Sequence, residues 1–331
     1  MKVSVFITID TEHSVGGALQ DSSLKPVGNE RRIFGKIKNK EYGIPLIMDI
    51  AERHSISLTF FVEVFSRSYF GEEETSRVCE YILNRGHDIQ LHLHPLFLNF
   101  DSPNPADQVY KPTMTSYDLH TQTEMIRDGK RLLFRYGVNN LIAFRAGGFA
   151  ANLDTLKALQ ENGFLIDSSL NRYYLRTHCK LHALDINDIS EVEGIWEIPV
   201  TNFFEFLVLG GGRPKPLDIN GISFLEMKSI LRSALTDGPF NITFLMHSFS
   251  FVHNSGVENK KARPRYQVIR RFEQLCRFLS DNAENYTVRT FGSLKQYELS
   301  VMNKKANHIL PRVSSILSII RLFEQAKERI G

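Results

Sequence analysis

The chain has 331 residues, of which 42% are hydrophobic and 23% charged, a balance typical of a globular protein with one large domain or two small ones. Its formal net charge of +3 is close to neutral, which gives no reason to expect a nucleic acid as a partner. No stretch approaches the roughly 20 apolar residues that are needed to span a bilayer.

The N-terminus and the cysteines bear on the compartment of the protein. Residues 1–10 carry one basic residue and an apolar stretch too short for the core of a signal peptide. Cys79, Cys179 and Cys276 are far apart and odd in number, which indicates reduced thiols rather than a disulfide framework. We therefore expect a cytoplasmic protein.

Short runs of β-branched and aromatic residues alternate with helical patterns along the chain, which is typical of repeated βα units around a parallel sheet. The predicted strands are residues 3–9, 57–62, 88–93, 141–144, 165–167, 195–200, 242–246 and 286–289. The predicted helices are residues 44–54, 73–85, 116–136, 152–162, 223–236 and 264–282.

Seven or eight such units favour a barrel over an open sheet, and in βα barrels the active site lies at the C-terminal ends of the strands. Polar residues stand at those ends: Asp10 and Glu12 follow the first strand, His92 and His94 the third, Arg145 the fourth, Asp167 and Ser168 the fifth, and His247 the seventh. All of them would lie on one face of the barrel. As a set they predict a functional site.

Three connections are longer than a barrel requires, namely residues 13–42, 95–115 and 201–222. Loops of this length are either binding loops and lids or poorly ordered insertions, and both readings stay open. The first two would border the histidine pair. The glycine run 210–212 in the third is no phosphate loop, because no Lys-Ser/Thr follows it.

The C-terminal stretch predicts a basic amphipathic helix. Its apolar residues at mostly helical spacing are Ile309, Val313, Ile316, Leu317, Ile320, Phe323 and Ile330, and its basic residues are Arg312, Arg321, Lys327 and Arg329. We expect it to pack on the barrel or on a second subunit, with a membrane surface as the alternative. The predicted division is a barrel domain at residues 1–300 and a helical extension at 301–331.

His92 and His94 are the residues most suggestive of chemistry. Two side chains one residue apart on an extended segment point to the same side, so both imidazoles could hold one ion. Two histidines make only part of a site, and a third ligand must come from elsewhere in the chain. Surface or hydrogen-bonded histidines are the alternative for this pair alone.

The chain resembles the polysaccharide deacetylase family of carbohydrate esterases in five motifs that occur in the family's order. Residues 9–12 (IDTE) are similar to the first motif, a catalytic Asp followed by a metal-binding carboxylate, and residues 86–92 (GHDIQLH) match the approach to the metal histidines. Residues 144–149 (FRAGGF), 166–169 (IDSS) and 245–247 (LMH) are similar to the third, fourth and fifth motifs. The resemblance covers residues 3–290.

The resemblance implies a distorted (β/α)7 barrel and one divalent metal ion, zinc or alternatively cobalt or nickel, held by Glu12, His92 and His94. Such a ligand set leaves open positions for water and substrate.

It also implies a role for each further residue at the site. Asp10 is expected to be the general base, paired with the permanently charged Arg145. His247 would protonate the leaving group, with Asp167 orienting its ring. The backbone N–H of Gly148 would help to bind the oxyanion.

Two departures from the family pattern are visible in the sequence. The second histidine normally comes four residues after the first, but that position is Leu96, so either His94 replaces it or the site has two protein ligands. The third motif usually continues with Pro-Tyr where this chain has Gly147 and Gly148, which leaves Phe149 to supply an aromatic wall. Trp196 is either a sugar-stacking residue or part of the core.

The resemblance implies a hydrolase that deacetylates an N- or O-acetylated sugar in polysaccharide or glycoconjugate biosynthesis. Since no export signal is recognised, a nucleotide-linked, lipid-linked or other cytoplasmic precursor is the expected substrate. Two alternatives stay open. One is a non-catalytic carbohydrate-binding protein on the same barrel, suggested by Leu96. The other is a related metal hydrolase that cleaves the C–N bond of a non-sugar amide.

Overall fold

The structure, a computed structural model, describes residues 2–175, 177–181, 184–206, 211–253, 262–303 and 307–330, with the side chains of 327–330 excepted. Gly210 of the glycine run lies outside the described residues. The side chains of Lys327, Arg329 and Ile330 lie outside them as well.

Within the described residues, a central sheet and three short hairpins contain all the strands. They are β1 (Val3–Thr11), β2 (Lys36–Ile37), β3 (Lys40–Glu41), β4 (Thr59–Glu63), β5 (Asp88–Leu93), β6 (Ala143–Ala146), β7 (Ile166–Asp167), β8 (Ser190–Val192), β9 (Ile195–Glu197), β10 (Asn202–Phe206), β11 (Gly212–Pro216), β12 (Asn241–His247), β13 (Val252–His253), β14 (Arg263–Pro264) and β15 (Tyr286–Arg289).

The helices lie mostly between consecutive strands of the sheet. They are α1 (Asn29–Arg32), α2 (Ile44–Glu52), α3 (Arg67–Phe70), α4 (Glu72–Leu83), α5 (Leu119–Arg135), α6 (Leu153–Glu161), α7 (Phe224–Ala234), α8 (Tyr266–Asp281), α9 (Gln296–Met302) and α10 (Ser315–Ile330). No helix in the described part of the chain is both long and apolar enough to cross a membrane.

The sheet runs in the order β12-β1-β4-β5-β6-β7-β9-β8, and β15 pairs with β1. Every pairing is parallel except that of β8 with β9. The sheet curls into a half-barrel. The chain between β9 and β12 links the two edges of the sheet through hydrogen bonds from Thr201 N to Thr243 O (3.2 Å) and from Leu245 N to Leu217 O (2.9 Å). This is the predicted distorted (β/α)7 barrel.

Side chains alternate along each strand between the barrel interior and the helix layer. On β1, Val5, Ile7 and Ile9 belong to the large core between sheet and helices, while Phe6 belongs to a smaller interior cluster. The ring of Phe291 closes that interior, with its centroid 5.2 Å from the Phe6 ring. Because both faces of the sheet are covered by apolar residues, the sequences of these strands are almost continuous apolar runs.

The predicted elements agree with the observed ones in type and order. Strands β5 and β15 have the predicted bounds, and most other ends differ by one to three residues. The β10–β11 hairpin and helix α9 were not predicted, and neither were the short elements β2, β3, β8, β13, β14, α1 and α3. The hairpin crosses Pro214 and Pro216, and such prolines are typical of edge strands or loops rather than of a central strand.

Helix α10 packs on the barrel, which is one of the expected placements. Arg321 is buried and forms ion pairs with Glu205 of β10 and Glu226 of α7, and Arg271 of α8 lies 3.1 Å from Glu324. Contact with a second subunit or a membrane stays a prediction, as does the domain boundary at residue 300.

Candidate metal centre

Asp10 and Arg145 form a buried ion pair on the floor of the site. Nη1 of Arg145 lies 2.6 Å from Asp10 Oδ1 and 3.0 Å from Thr8 Oγ1. Its Nε and Nη2 donate to the backbone oxygen and the hydroxyl of Ser168, at 3.1 and 2.9 Å. The guanidinium carbon lies 4.2 Å from the centroid of the Phe61 ring. These partners replace water around a fully buried charge.

Glu12, His92 and His94 come together beside this pair. Glu12 follows Asp10 by two residues, His92 is paired in register with Arg145, and His94 follows His92 by two residues. His94 Nε2 lies 2.7 Å from Glu12 Oε2, and His92 Nε2 lies 3.5 Å from the same oxygen. The two Nε2 atoms are 3.1 Å apart, and all the potential ligand atoms lie within 4.8 Å of one another. One carboxylate oxygen and two imidazole nitrogens are a donor set that zinc-like ions prefer.

The hydrogen bond on the far side of His92 fixes its tautomer. Nδ1 of His92 lies 2.7 Å from the backbone oxygen of Arg145. A carbonyl oxygen only accepts, so Nδ1 carries a hydrogen, and Nε2 is the ring nitrogen that faces Glu12 and His94. A metal-binding histidine typically donates its other ring N–H in this way.

The sequence left open whether His94 replaces the second metal histidine of the family motif. Its ring faces Glu12 instead of turning away from it, and its Nε2 lies 2.7 Å from Glu12 Oε2 and 3.1 Å from His92 Nε2. Three potential ligand atoms thus face one another. The residues present therefore fit a divalent ion.

The charges around Glu12 favour its ionised form. Burial raises the pKa of Glu12, but His94, His92 and His247 together lower it well below its usual range. For His94, burial lowers the pKa, whereas Glu12, Glu63 and Asp10 raise it above its usual value. The carboxylate is thus ready to act as a ligand.

Arg32 is a component of the site that was not predicted. It lies in the 13–42 connection, and its Nη2 is 3.2 Å from Glu12 Oε1, the oxygen that does not face the histidines. Its guanidinium carbon lies 3.2 Å from the centroid of the Phe249 ring, and its backbone oxygen accepts a hydrogen bond from Ser248 (3.0 Å). The connection therefore packs against the site. The basic run at Arg31 and Arg32 was the available signal, but nothing in it indicated Glu12 as a partner.

Glu63 is a second unpredicted neighbour. It is paired in register with His92 on the adjacent strand, and its carboxylate accepts hydrogen bonds from the backbone N–H groups of Phe65 (2.7 Å) and Ser66 (2.9 Å). Burial raises its pKa, against the opposing effect of the His94 charge. It holds the turn after β4 beside the histidines.

His247 stands on the other side of Asp10. It ends β12 and is paired in register with Asp10 of β1, and its charge lowers the pKa of Glu12, so it belongs to the same site. Its ring centroid lies 5.0 Å from that of Phe249.

The structure corrects the prediction that Asp167 orients His247. Asp167 is paired in register with Phe144 and Glu197, on the outer face of the sheet, and its Oδ1 accepts a hydrogen bond from Ser169 (2.6 Å). The inward-facing residue of this strand end is Ser168, which bonds Arg145. The physical reason is strand alternation, which sends neighbouring residues to opposite faces.

The aromatic residues divide between the site and the core. Phe149 stacks on Tyr174, with ring centroids 5.4 Å apart and planes 12° apart, and it lies 5.9 Å from the guanidinium carbon of Arg145. Phe149 thus lies beside Arg145, and its role as an aromatic wall stays a prediction. Tyr174 was not predicted. Trp196 lies in the interior cluster with Phe6 and is 7% exposed, which supports its core role and not a contact with substrate. The role of Gly148 stays a prediction.

No family model matches the chain, and no curated protein matches it. Similar solved structures include a family 4 carbohydrate esterase from Streptomyces lividans in complex with acetate, at 10% identity over 93% of this chain and 98% of that one, with a TM-score of 0.43. They also include the peptidoglycan deacetylase PdaC from Bacillus subtilis, at 10% identity over 100% and 98%, with a TM-score of 0.40.

A third similar structure is 4-alpha-glucanotransferase from Thermococcus litoralis, at 12% identity over 99% of this chain, with a TM-score of 0.50. This chain matches 46% of that enzyme's length. A carbohydrate esterase and a peptidoglycan deacetylase are thus among the structural neighbours of the chain. At these identities the likeness concerns the fold alone.

Proposed function

We propose that this protein is a metal-dependent hydrolase that removes an acetyl group from an N- or O-acetylated sugar. The observation that carries the proposal is the convergence of Glu12, His92 and His94 beside the Asp10–Arg145 pair, with His247 on the neighbouring strand. The choice of a sugar as substrate rests on the resemblance of the five sequence motifs. The expected cytoplasmic location stays a prediction.

The metal supplies Lewis acidity when bound, polarising an acyl carbonyl and lowering the pKa of water. In this proposal Asp10 takes the proton of the attacking water, and its ion pair with Arg145 orients the carboxylate. His247 gives a proton to the departing amine or alcohol. Phe149 packs with Val200 and Leu245 in a small buried apolar cluster.

Acetate release from a panel of acetylated sugars, with zinc or cobalt added, tests the proposal. Asp10→Asn and His247→Ala should each lower the rate by about 100- to 10,000-fold, the usual contribution of a general base or acid. Asp167→Asn is the matched control, because it changes a buried aspartate on the opposite face of the same sheet. Full activity in Asp10→Asn, or an equal loss in the control, would contradict the mechanism.

A non-catalytic sugar-binding protein is the second candidate, favoured by one observation. Arg32 already neutralises Glu12, so the carboxylate is paired without a metal ion. Binding of an acetylated sugar without acetate release, measured on the protein loaded with zinc or cobalt, would support this candidate. Turnover of non-sugar amides in the same panel, without turnover of sugars, would instead indicate an amide hydrolase.

A further inference from the structure

The contact between Gly147 and His94 connects two regions of the site that are far apart in sequence. Gly147 follows β6 and opens a short turn, and it is buried against the ring of His94. A Cβ atom at this position would lie 2.6 Å from His94 Nδ1 and 2.7 Å from His94 Cε1. It would also lie 2.7 Å from the backbone oxygen of Leu93. Real Cβ atoms do not approach other atoms so closely, because non-bonded atoms repel one another below about 3.5 Å.

The imidazole of His94 is held between Gly147 and Glu12. Its Nδ1 edge faces Gly147, and its Nε2 is 2.7 Å from Glu12 Oε2. The ring also makes an edge contact with His92, with centroids 4.8 Å apart and planes at 78°. Since the ring is rigid, any atom that displaces the Nδ1 edge also displaces Nε2.

The backbone of His94 has little freedom to compensate. It precedes Pro95, and a residue before proline is restricted to extended conformations. Its φ and ψ of −118° and 92° lie in that region. A side chain at residue 147 would therefore have to be accommodated by rotation of the His94 ring or by movement of the turn after β6.

We propose that Gly147 is a positioning residue for the metal centre, because the missing side chain makes the room in which His94 acts as a ligand. The inference rests on the proposed metal site. The two departures from the family motifs, Leu96 in the second motif and Gly147 in the third, are then parts of one structural feature. A residue with a side chain at position 147 excludes the ring of His94, and a glycine there lets His94 take over from a ligand at position 96.

Gly148 provides a matched control next to Gly147. It has a φ of +60°, and a Cβ atom built on it meets nothing within 4 Å. Gly148→Ala therefore adds the same methyl group and some backbone strain without touching His94. An effect of Gly147→Ala that Gly148→Ala does not reproduce therefore arises from the close contacts with His94 and Leu93.

Titration of the metal-free protein with Co²⁺, followed by visible absorption, tests the inference. Gly147→Ala should weaken binding by about 10- to 100-fold, as changes in the surroundings of metal ligands commonly do, and Gly148→Ala should change it by less than about threefold. In a His94→Ala background, Gly147→Ala should cause no further loss. Equal affinity of Gly147→Ala and the unchanged protein would overturn the inference alone, whereas no Co²⁺ binding by the unchanged protein would overturn the proposed function with it.

Thermal unfolding keeps the test decisive if Gly147→Ala folds poorly. Two of the three close contacts of the added methyl group are with the ring of His94. The double variant His94→Ala/Gly147→Ala should therefore unfold at a higher temperature than Gly147→Ala alone. If the destabilisation by the two substitutions is simply additive, the proposed contact does not exist.

Discussion

The two faces of the sheet at the ends of β6, β7 and β9 hold two buried polar clusters of opposite character. The inner cluster joins Asp10 to Arg145 and Ser168. The outer cluster joins Asp167 to Glu197 and Ser169, and both carboxyl groups are fully buried. Asp167 and Ser168 are neighbours in the chain, yet each belongs to a different cluster.

The clusters differ in how their charge is stabilised. The inner one pairs opposite charges, and several hydrogen-bond donors of Arg145 are used. The outer one contains two carboxyl groups. Burial raises the pKa of Asp167, and burial together with the charge of Asp167 raises the pKa of Glu197 well above its usual range. Such a pair shares a proton, so the outer cluster carries about one negative charge instead of two.

The difference teaches that a buried carboxylate at a strand end is not by itself a sign of catalysis. The inner carboxylates stand beside histidines and reach the mouth of the barrel. The outer ones lie under the helix layer, where they satisfy backbone N–H groups such as that of Leu170 (3.0 Å). The predictions below separate the two clusters, beginning with the largest expected effect.

Arg145→Met should destabilise the protein by about 3–5 kcal/mol, because it leaves Asp10 buried without its partner. Urea unfolding measures the loss. The double variant Asp10→Asn/Arg145→Met should be less destabilised than the sum of the single variants. A loss below about 1 kcal/mol for Arg145→Met would mean that the inner pair is not a coupled unit.

Arg32→Gln should weaken Co²⁺ binding by about 10- to 100-fold, since Arg32 holds the Glu12 oxygen that faces away from the histidines. Arg31→Gln is the control, because it removes the same charge from the neighbouring residue. If Arg32→Gln instead tightens binding, the guanidinium competes with the ion, and the non-catalytic candidate is strengthened.

Ser168→Ala and Ser169→Ala should each cost about 1–2 kcal/mol of stability, because each hydroxyl makes two buried hydrogen bonds. Only Ser168→Ala should also lower the rate of acetate release, because Ser168 holds Arg145. Equal rates for the two variants would remove the functional distinction between the inner and outer faces.

Glu197→Gln should change how stability depends on pH. A carboxyl group whose pKa is raised in the folded state stabilises the fold below its ordinary pKa and loses that contribution as the pH rises through the raised value. The variant should therefore gain stability relative to the unchanged protein as the pH rises from about 4 to 8. Unfolding temperatures over this range measure the difference, and a constant difference would mean that Glu197 does not titrate as described.

The sequence was sufficient for the fold and for most of the inner cluster. Strand periodicity located β1, β5 and β12, and the polar residues at their ends are brought together because parallel strands end on one side of the sheet. The motifs supplied Arg145 as the partner of Asp10. These features depend on local pattern and on strand order, which a single sequence carries.

The rest depended on information that the sequence does not carry. Whether Asp167 or Ser168 faces the barrel interior depends on the register of β7 against β6, because Asp167 ends this short strand and Ser168 follows it directly. Arg32 reaches Glu12 from a long connection whose path is set by tertiary packing. The place of His94 depends on the missing side chain of Gly147, a contact between residues more than fifty positions apart.

The central claim is that Glu12, His92 and His94 hold one divalent ion, and elemental analysis of the purified protein together with Co²⁺ titration tests it most directly. We predict about one ion per chain, and a content and affinity reduced at least about tenfold in Glu12→Ala and His92→Ala, with thermal unfolding showing that both variants are folded. An unchanged metal content in these variants, or no binding by the unchanged protein, would contradict the account.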